Sequence, residues 1–341
     1  MENIYNYPLK KLEQYFINKD LKKFKATQVF EWLYQKRVTS FDDMSNLKKE
    51  LIEELKQDFS MNRLEVVAKK EDKDVKKYLF KLSDNNKIEA VLMHHNYGDS
   101  LCVSTQVGCN MGCTFCESGR LKKVRNLTTS EMVLQILEVE KESNIRISHL
   151  VLMGIGEPFD NFDNVMDFLD IVKDSKGINI GARHITVSTS GIIPGIKKFM
   201  ELQNQVNLAI SLHAPNDTLR SQLMPINKAY PLKELMSTLR EYTSKTNRRI
   251  TFEYIMLRGI NDTDECAYQL SSLLKGMLCY VNIIPYNETS HITYKKSDEK
   301  RVLEFYDILK KNNINVTIRK EFGTKVMAAC GQLRSNYEDT K

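Results

Sequence analysis

Up to about residue 60 the apolar positions recur at helical spacing. Leu9, Leu12, Tyr15 and Phe16 form one stripe, and Ala26, Val29, Phe30 and Leu33 form another. Ser45 or Asn46 is placed to cap a further helix running through Leu47, Leu51 and Leu55. Over residues 61–97 the pattern changes to the short runs LEVVAKK, KKYLFKL and KIEAVLMHH, with Ser83-Asp84-Asn85-Asn86 as a turn. The expected organisation is a helical accessory module over 1–60, a β extension over 61–97 and a larger domain over 98–341.

In that larger domain strand and helix patterns alternate. Strands are expected at 101–106, 148–153, 184–189, 206–212, 250–257 and 280–285, with 315–319 as a closing or edge strand. Helices are expected at about 129–143, 163–174, 195–203, 232–244, 264–275 and 298–312. Roughly six βα units predict an α/β fold, a partial (β/α)6 barrel with parallel strands. The polar and glycine-rich clusters all follow strands: the loop from Cys109, Gly154 to Pro158, Ser188 to Gly191, Ser211 to Pro215, Arg258 to Asp262, and Pro285-Tyr286-Asn287. In parallel barrels the strand C-terminal ends build the active site, so six such clusters on one rim argue for an enzyme.

The first of these loops carries the sharpest signal. Cys109, Cys113 and Cys116 stand in VGCNMGCTFCESG with no fourth cysteine close by. Three thiolates at this spacing can hold a [4Fe-4S] cluster and leave one iron open, and an open metal position suits catalysis. The spacing resembles that of radical S-adenosylmethionine (SAM) enzymes. That resemblance implies that SAM fills the open position and is cleaved to a 5′-deoxyadenosyl radical. A zinc site with a remote fourth ligand is the competing reading of the triplet. Beside it, Gly154, Gly156 and Glu157 resemble the segment that holds the amino group of SAM. With that resemblance, Ser188, Ser211, His213 and Asn287 are candidate donors and acceptors for the carboxylate and ribose of SAM, and Leu212 is a further expected SAM-binding position.

Composition narrows the setting. The 341 residues, 42% of them hydrophobic, suffice for one large domain with an extension. Without a run of about 18 apolar residues or a signal-like start, a soluble cytoplasmic protein with no membrane partner is expected. Seven cysteines, three of them at ligand spacing, fit metal or redox use in a reducing compartment. The net charge of +6 is weak evidence for nucleic acid, but its clustering is informative. Lys22, Lys23 and Lys25 lie near the start, Lys69, Lys70, Lys73, Lys76 and Lys77 follow, and Arg120, Lys122, Lys123 and Arg125 adjoin the cysteine loop.

The remaining motifs make the resemblance specific. Cys102 precedes the triplet in SLCVSTQVGCNMGCTFC, and Glu89 lies in KIEAVLMHH. GIGEPFDNF, GARHITVSTSGIIP, ISLHAPND, RSQLMPIN and AACGQLR follow in order, and FEWLYQKRVTSFDDMSNL stands in the helical module. The chain resembles the RlmN/Cfr family of radical SAM RNA methyltransferases over nearly its whole length after about residue 20. The resemblance implies that one SAM methylates Cys330, that a second is cleaved, and that a sulfur-bound methylene radical then adds to adenine. It also implies that Glu89 accepts a proton and that Cys102 resolves the protein–RNA adduct, ending in a transient disulfide with Cys330.

The implied partners are 23S rRNA, tRNA and an electron donor such as flavodoxin or ferredoxin, with the chain a monomer. GIGEP, FDNF and HITVSTSGIIPG look like the branch that methylates adenine C2, whereas a second branch methylates C8 and confers ribosomal antibiotic resistance. CESGRLKKVRNL stands where an Ala/Ser/Thr-rich segment is the family habit, which bears on substrate preference. A radical SAM enzyme acting on a peptide or small molecule, needing neither Cys102 nor Cys330, and a zinc-stabilised RNA-binding module are the remaining alternatives. Cys266 and Cys279 match no motif and are expected in the core.

Overall fold

The computed structural model describes residues 1–202, 204–289, 291–319 and 332–333. Ten strands hydrogen-bond side by side in chain order: β1 (Glu65–Asp72), β2 (Val75–Lys81), β3 (Lys87–His95), β4 (Gly98–Cys102), β5 (His149–Leu152), β6 (Ile185–Thr189), β7 (Asn207–Ser211), β8 (Ile250–Met256), β9 (Cys279–Pro285) and β10 (Val316–Ile318). Strands β1 to β4 pair antiparallel with one another. From β4 to β10 every pairing is parallel. The β extension is therefore continuous with the barrel sheet, joined through the pairing of β3 with β4, which places Val91 opposite Cys102.

Helices α1 (Leu9–Asn18), α2 (Lys23–Glu31) and α3 (Lys49–Asp58) precede the sheet. Helices α4 (Thr129–Ser143), α5 (Phe162–Lys173), α6 (Ile193–Glu201), α7 (Asp217–Leu223), α8 (Leu232–Thr246), α9 (Asp264–Leu274) and α10 (Glu299–Lys311) lie between the parallel strands. Helix α7 has no counterpart in the expected pattern. It has only seven residues, too few for a helical stripe to stand out, and it begins at a side-chain cap where Asn216 accepts from the Leu219 N–H (2.9 Å). Helix α4 starts at a reciprocal cap: the Thr128 hydroxyl accepts from the Glu131 N–H, and the Glu131 carboxylate accepts from the Thr128 N–H (2.9 Å). The expected cap at Ser45 or Asn46 is not formed. Helix α3 begins after Lys48, and the Asn46 side-chain oxygen instead accepts from the Trp32 indole N–H (2.6 Å).

The periodic stripes became core. Leu12, Phe16, Ala26, Val29, Phe30 and Leu33 are fully buried, in the same apolar cluster as Val133, Leu150, Val187 and Ile210. The helical module thus shares its interior with the barrel; on α4 Arg37 pairs with Glu140, and Arg63, just beyond the module, pairs with Glu138. Edge strand β1 carries Glu65, Lys69, Lys70, Glu71 and Asp72 and a bulge between Val66 and Ala68, features that discourage pairing with another chain. No described helix is long and apolar enough to cross a membrane.

Candidate active site

The loops at the C-terminal ends of the parallel strands border an open cavity of about 150 Å³. Cys109, Cys113 and Cys116 line it, with Gly156 and Glu157 from the loop after β5, Ser188 from β6, and Ser211 and His213 from the end of β7. Residues more than 100 positions apart in sequence are thereby brought to one mouth. Leu212 is buried in the core outside the lining, its N–H donating to the Glu253 carbonyl (3.1 Å). Asn287, just past β9, is buried but outside the lining.

Backbone bonds fold the cysteine loop. The Cys109 N–H donates to the Leu121 carbonyl (3.0 Å), the Cys116 N–H to the Cys113 carbonyl (3.2 Å) and the Thr114 N–H to the Leu223 carbonyl (2.9 Å). Phe115, Met224, Ile255, Ile284 and Tyr286 form an apolar shell against which Cys113 and Cys116 pack. Burial pushes the Cys109 thiol up to about 12 and raises the Cys113 thiol well above its usual range. Bare thiolates at Cys109 and Cys113 are therefore disfavoured, and a bound metal group would supply the positive charge that favours them. The donor set fits the three-cysteine iron–sulfur cluster. Among the described residues no three Cys, His, Asp or Glu side chains are gathered as a single-ion site, so this fit rests on spacing, shared cavity and surroundings.

Glu157 is buried, and burial raises its carboxyl above the usual range. Its oxygens accept from the Ser190 N–H (2.7 Å) and the Phe159 N–H (3.1 Å), which oppose that rise. A carboxylate held this way at a cavity wall suits the ammonium group of an amino acid-like ligand. The nearby glycines are required by the loop's own packing. A Cβ on Gly154 would meet the Val103 carbonyl at 2.6 Å, and one on Gly156, whose φ is +110°, would meet the Gln106 side chain at 2.6 Å. His213 is buried, and desolvation brings its imidazole down to about 3. Neutral, it accepts the Ile255 N–H at Nδ1 (3.1 Å), which leaves its proton on Nε2.

Sequence reasoning passed over several residues here. Ser190, Glu253 and Arg319 also line the cavity. Arg220 of α7 is completely buried. Its guanidinium donates to the carbonyls of Ser190 (2.6 Å), Ser211 (3.3 Å) and Leu212 (3.3 Å) and to the Asn227 side chain (2.8 Å), tying the loop after β6 to the end of β7. The signal was an arginine in LRSQLMPIN, a stretch noted only as part of a motif.

Glu89 and Cys102 lie beside this cavity, not in its lining. Both are buried; the Lys77 ammonium reaches the Glu89 carboxylate (3.0 Å), and Cys102 packs with Val75, Val91, Met93, Ile155 and Leu333. Cys330 lies outside the described residues. Gln332 and Leu333 are described, and the Leu333 carbonyl accepts from the hydroxyl of Ser118 (2.8 Å), a cavity residue two positions after Cys116. The basic run after the triplet divides. Lys123 pairs with Asp160 (2.8 Å) and Arg125 with Glu131 and Asp84, whereas Arg120 and Lys122 are exposed. Cys266 and Cys279 are buried away from the cavity lining.

Residues 103–269 match the family model of the Radical SAM superfamily, and residues 2–61 match that of the Ribosomal RNA large subunit methyltransferase N-terminal domain. The chain is 56% identical to the probable dual-specificity RNA methyltransferase RlmN of Enterococcus faecalis, over 98% of this chain and 96% of that one. It is 50% identical to the protein of the same description from Spiroplasma citri, over 99% of each. A crystal structure of a radical SAM methyltransferase from Sphaerobacter thermophilus is similar with a TM-score of 0.92 at 39% identity, covering 98% of this chain and all of that one. The three-cysteine loop, the buried glutamate beside it and this likeness along the whole chain agree: the chain belongs to the RlmN family of radical SAM RNA methyltransferases.

Proposed function

We propose that the chain methylates C2 of one adenosine in the peptidyl-transferase centre of 23S rRNA, and an adenosine beside the anticodon of some tRNAs, through a methyl group first loaded on Cys330. The observation that carries this reading is the placement of Leu333. It is held between the hydroxyl of Ser118 in the cysteine loop and the apolar cluster that contains Cys102. Cys330 precedes it by three positions, and three residues of chain span at most about 11 Å. The relatives' description as dual-specificity RNA methyltransferases supports two kinds of RNA substrate, and GIGEP and FDNF support C2 over C8.

Adenine C2 is electrophilic, so simple displacement of a methyl group from a sulfonium does not serve it. When bound, the cluster and SAM would supply the electron and the radical that takes a hydrogen atom from the methyl carbon carried on the Cys330 sulfur. The protein's own residues do the rest. Cys330 presents the carbon that bonds to the ring, Glu89 accepts a proton from the adduct, and the Cys102 thiolate attacks the Cys330 sulfur. An S–S bond forms as the S–C bond breaks, the freed methylene carbon takes a proton to become the methyl group on the RNA, and the bound cluster would take back the one electron that the radical adduct gives up. Two SAM molecules are used per turnover, one to load Cys330 and one to generate the radical. An electron carrier such as flavodoxin or ferredoxin is needed, and we read the acting species as a monomer.

Mass spectrometry of anaerobically purified protein tests this reading. One extra methyl group is expected on the Cys330 peptide, and Cys102→Ala is expected to accumulate a covalent protein–RNA adduct. An unmodified Cys330 in enzyme that still methylates RNA would rule the pathway out, and 8-methyladenosine as the product would move the chain to the other branch.

The exposed cations beside the cysteine loop suit RNA phosphates. Neutralising Arg120 and Lys122 together is expected to weaken RNA binding and to lower the slope of log affinity against log salt by about 1 to 2. SAM cleavage without RNA is expected to persist. An unchanged slope removes this contact.

A further inference from the structure

The lysine-rich run of residues 69–77 separates into distinct roles in the fold. Lys69 pairs across to Glu142 (3.0 Å) and Lys76 with Glu71 (3.4 Å), both at the surface. Lys77 is different. Its side chain is only 12% exposed, and its ammonium lies 3.0 Å from a Glu89 carboxylate that is 5% exposed. Strand pairing sets Leu79 opposite Glu89 and Lys77 opposite Val91, so Lys77, Leu79, Glu89 and Val91 share one face of the sheet. Cys102, paired with Val91, shares it too, and Leu333 packs there. The opposite face, with Tyr78, Phe80, Ile88 and Ala90, is core.

We propose that Lys77 is a positioning residue for methyl transfer: it holds the Glu89 carboxylate ionised and aimed along the sheet face that carries Cys102. This rests on the proposed role of Glu89 as proton acceptor. A carboxylate inside apolar surroundings is driven to protonate unless a cation lies beside it. A protonated Glu89 has no capacity to accept the proton from the adduct. Other titratable groups on this face of the described strands are Glu65, Lys70 and Asp72 on β1, Lys81 on β2, Lys87 and His95 on β3 and Cys102 on β4. Lys77 is the cation whose contact with Glu89 the geometry defines.

The test is single-turnover methylation of a 23S rRNA fragment by the reconstituted enzyme, measured against pH. Lys77→Met is expected to slow methylation roughly 10- to 100-fold at neutral pH. The acidic limb of its profile is expected about 1 to 3 units higher, since the isolated carboxyl loses its proton only at higher pH. Much of the rate then returns in alkaline buffer, Lys77→Arg keeps a near-normal profile, and methyl loading of Cys330 is unaffected. An unshifted limb, or a loss that alkaline buffer does not relieve, overturns the proposal. Should Lys77→Met fail to fold, Lys77→Gln, which keeps an N–H donor but no charge, is read by the same criteria. Glu89→Gln separates the two claims. If it methylates RNA at the normal rate, the reading of Glu89 fails, whatever the Lys77 variants do.

Discussion

Replacing Cys113 by alanine is expected to abolish RNA methylation and to reduce bound iron from about four per chain to near none. The loop's fold does not depend on its thiols. Backbone bonds from Cys109, Thr114 and Cys116 to Leu121, Leu223 and Cys113 close it, and Gly119 packs so tightly on the Cys113 backbone that an added Cβ would lie 2.6 Å from its carbonyl oxygen. The variant is therefore expected to fold, with a circular dichroism spectrum like that of the parent. What it loses is one of the three cysteine donors that line the cavity among the described residues, on its apolar side. Iron assay, the brown absorbance of the reconstituted protein and RNA methylation check this together. Retention of iron and activity would mean that the triplet is not the cluster site, and one zinc per chain in the parent would favour the binding-module alternative.

Arg220→Met is expected to be nearly as damaging by another route. The side chain is wholly buried, and burial lowers its guanidinium to about 10. It remains charged at neutral pH and is met by oxygens of Ser190, Ser211, Leu212 and Asn227. Methionine fills much of the space but leaves these acceptors buried without a donor, a loss of roughly 3 kcal/mol or more. The oxygens belong to the chain segments that carry Ser188, Ser190, Ser211 and His213, so SAM affinity should fall at least about tenfold as the wall loosens. Denaturant melts of the apo-protein and SAM titration of the reconstituted enzyme measure the two effects. A stable variant with unchanged SAM affinity would show that these segments hold their shape without the strap.

Most of the barrel was legible because parallel strands buried on both faces read as short apolar runs, and the helices between them carry plain stripes. The gathering of Cys109, Glu157, Ser188, Ser211 and His213 at one mouth followed from their places at strand ends. What escaped had physical reasons. Helix α7 is short and set by a cap, and Arg220 works by pointing inward, contrary to the usual exposure of arginine. Lys77 looked like one charge among several because an ion pair formed across strands leaves no mark in local sequence. Nor does a pattern reveal that the glycines of GIGEP yield to Gln106 and the Val103 carbonyl.

The unbroken run of strands from β1 to β10 bears on how the molecule can be divided. Cutting the chain near residue 98 to isolate a minimal barrel would strip β4 of its hydrogen-bonded neighbour and open a raw sheet edge to other chains. The same cut would discard Glu89 and uncover Cys102. The change of rhythm in the sequence is a seam in the pattern, but mechanically the wall of the reaction vessel runs straight across it.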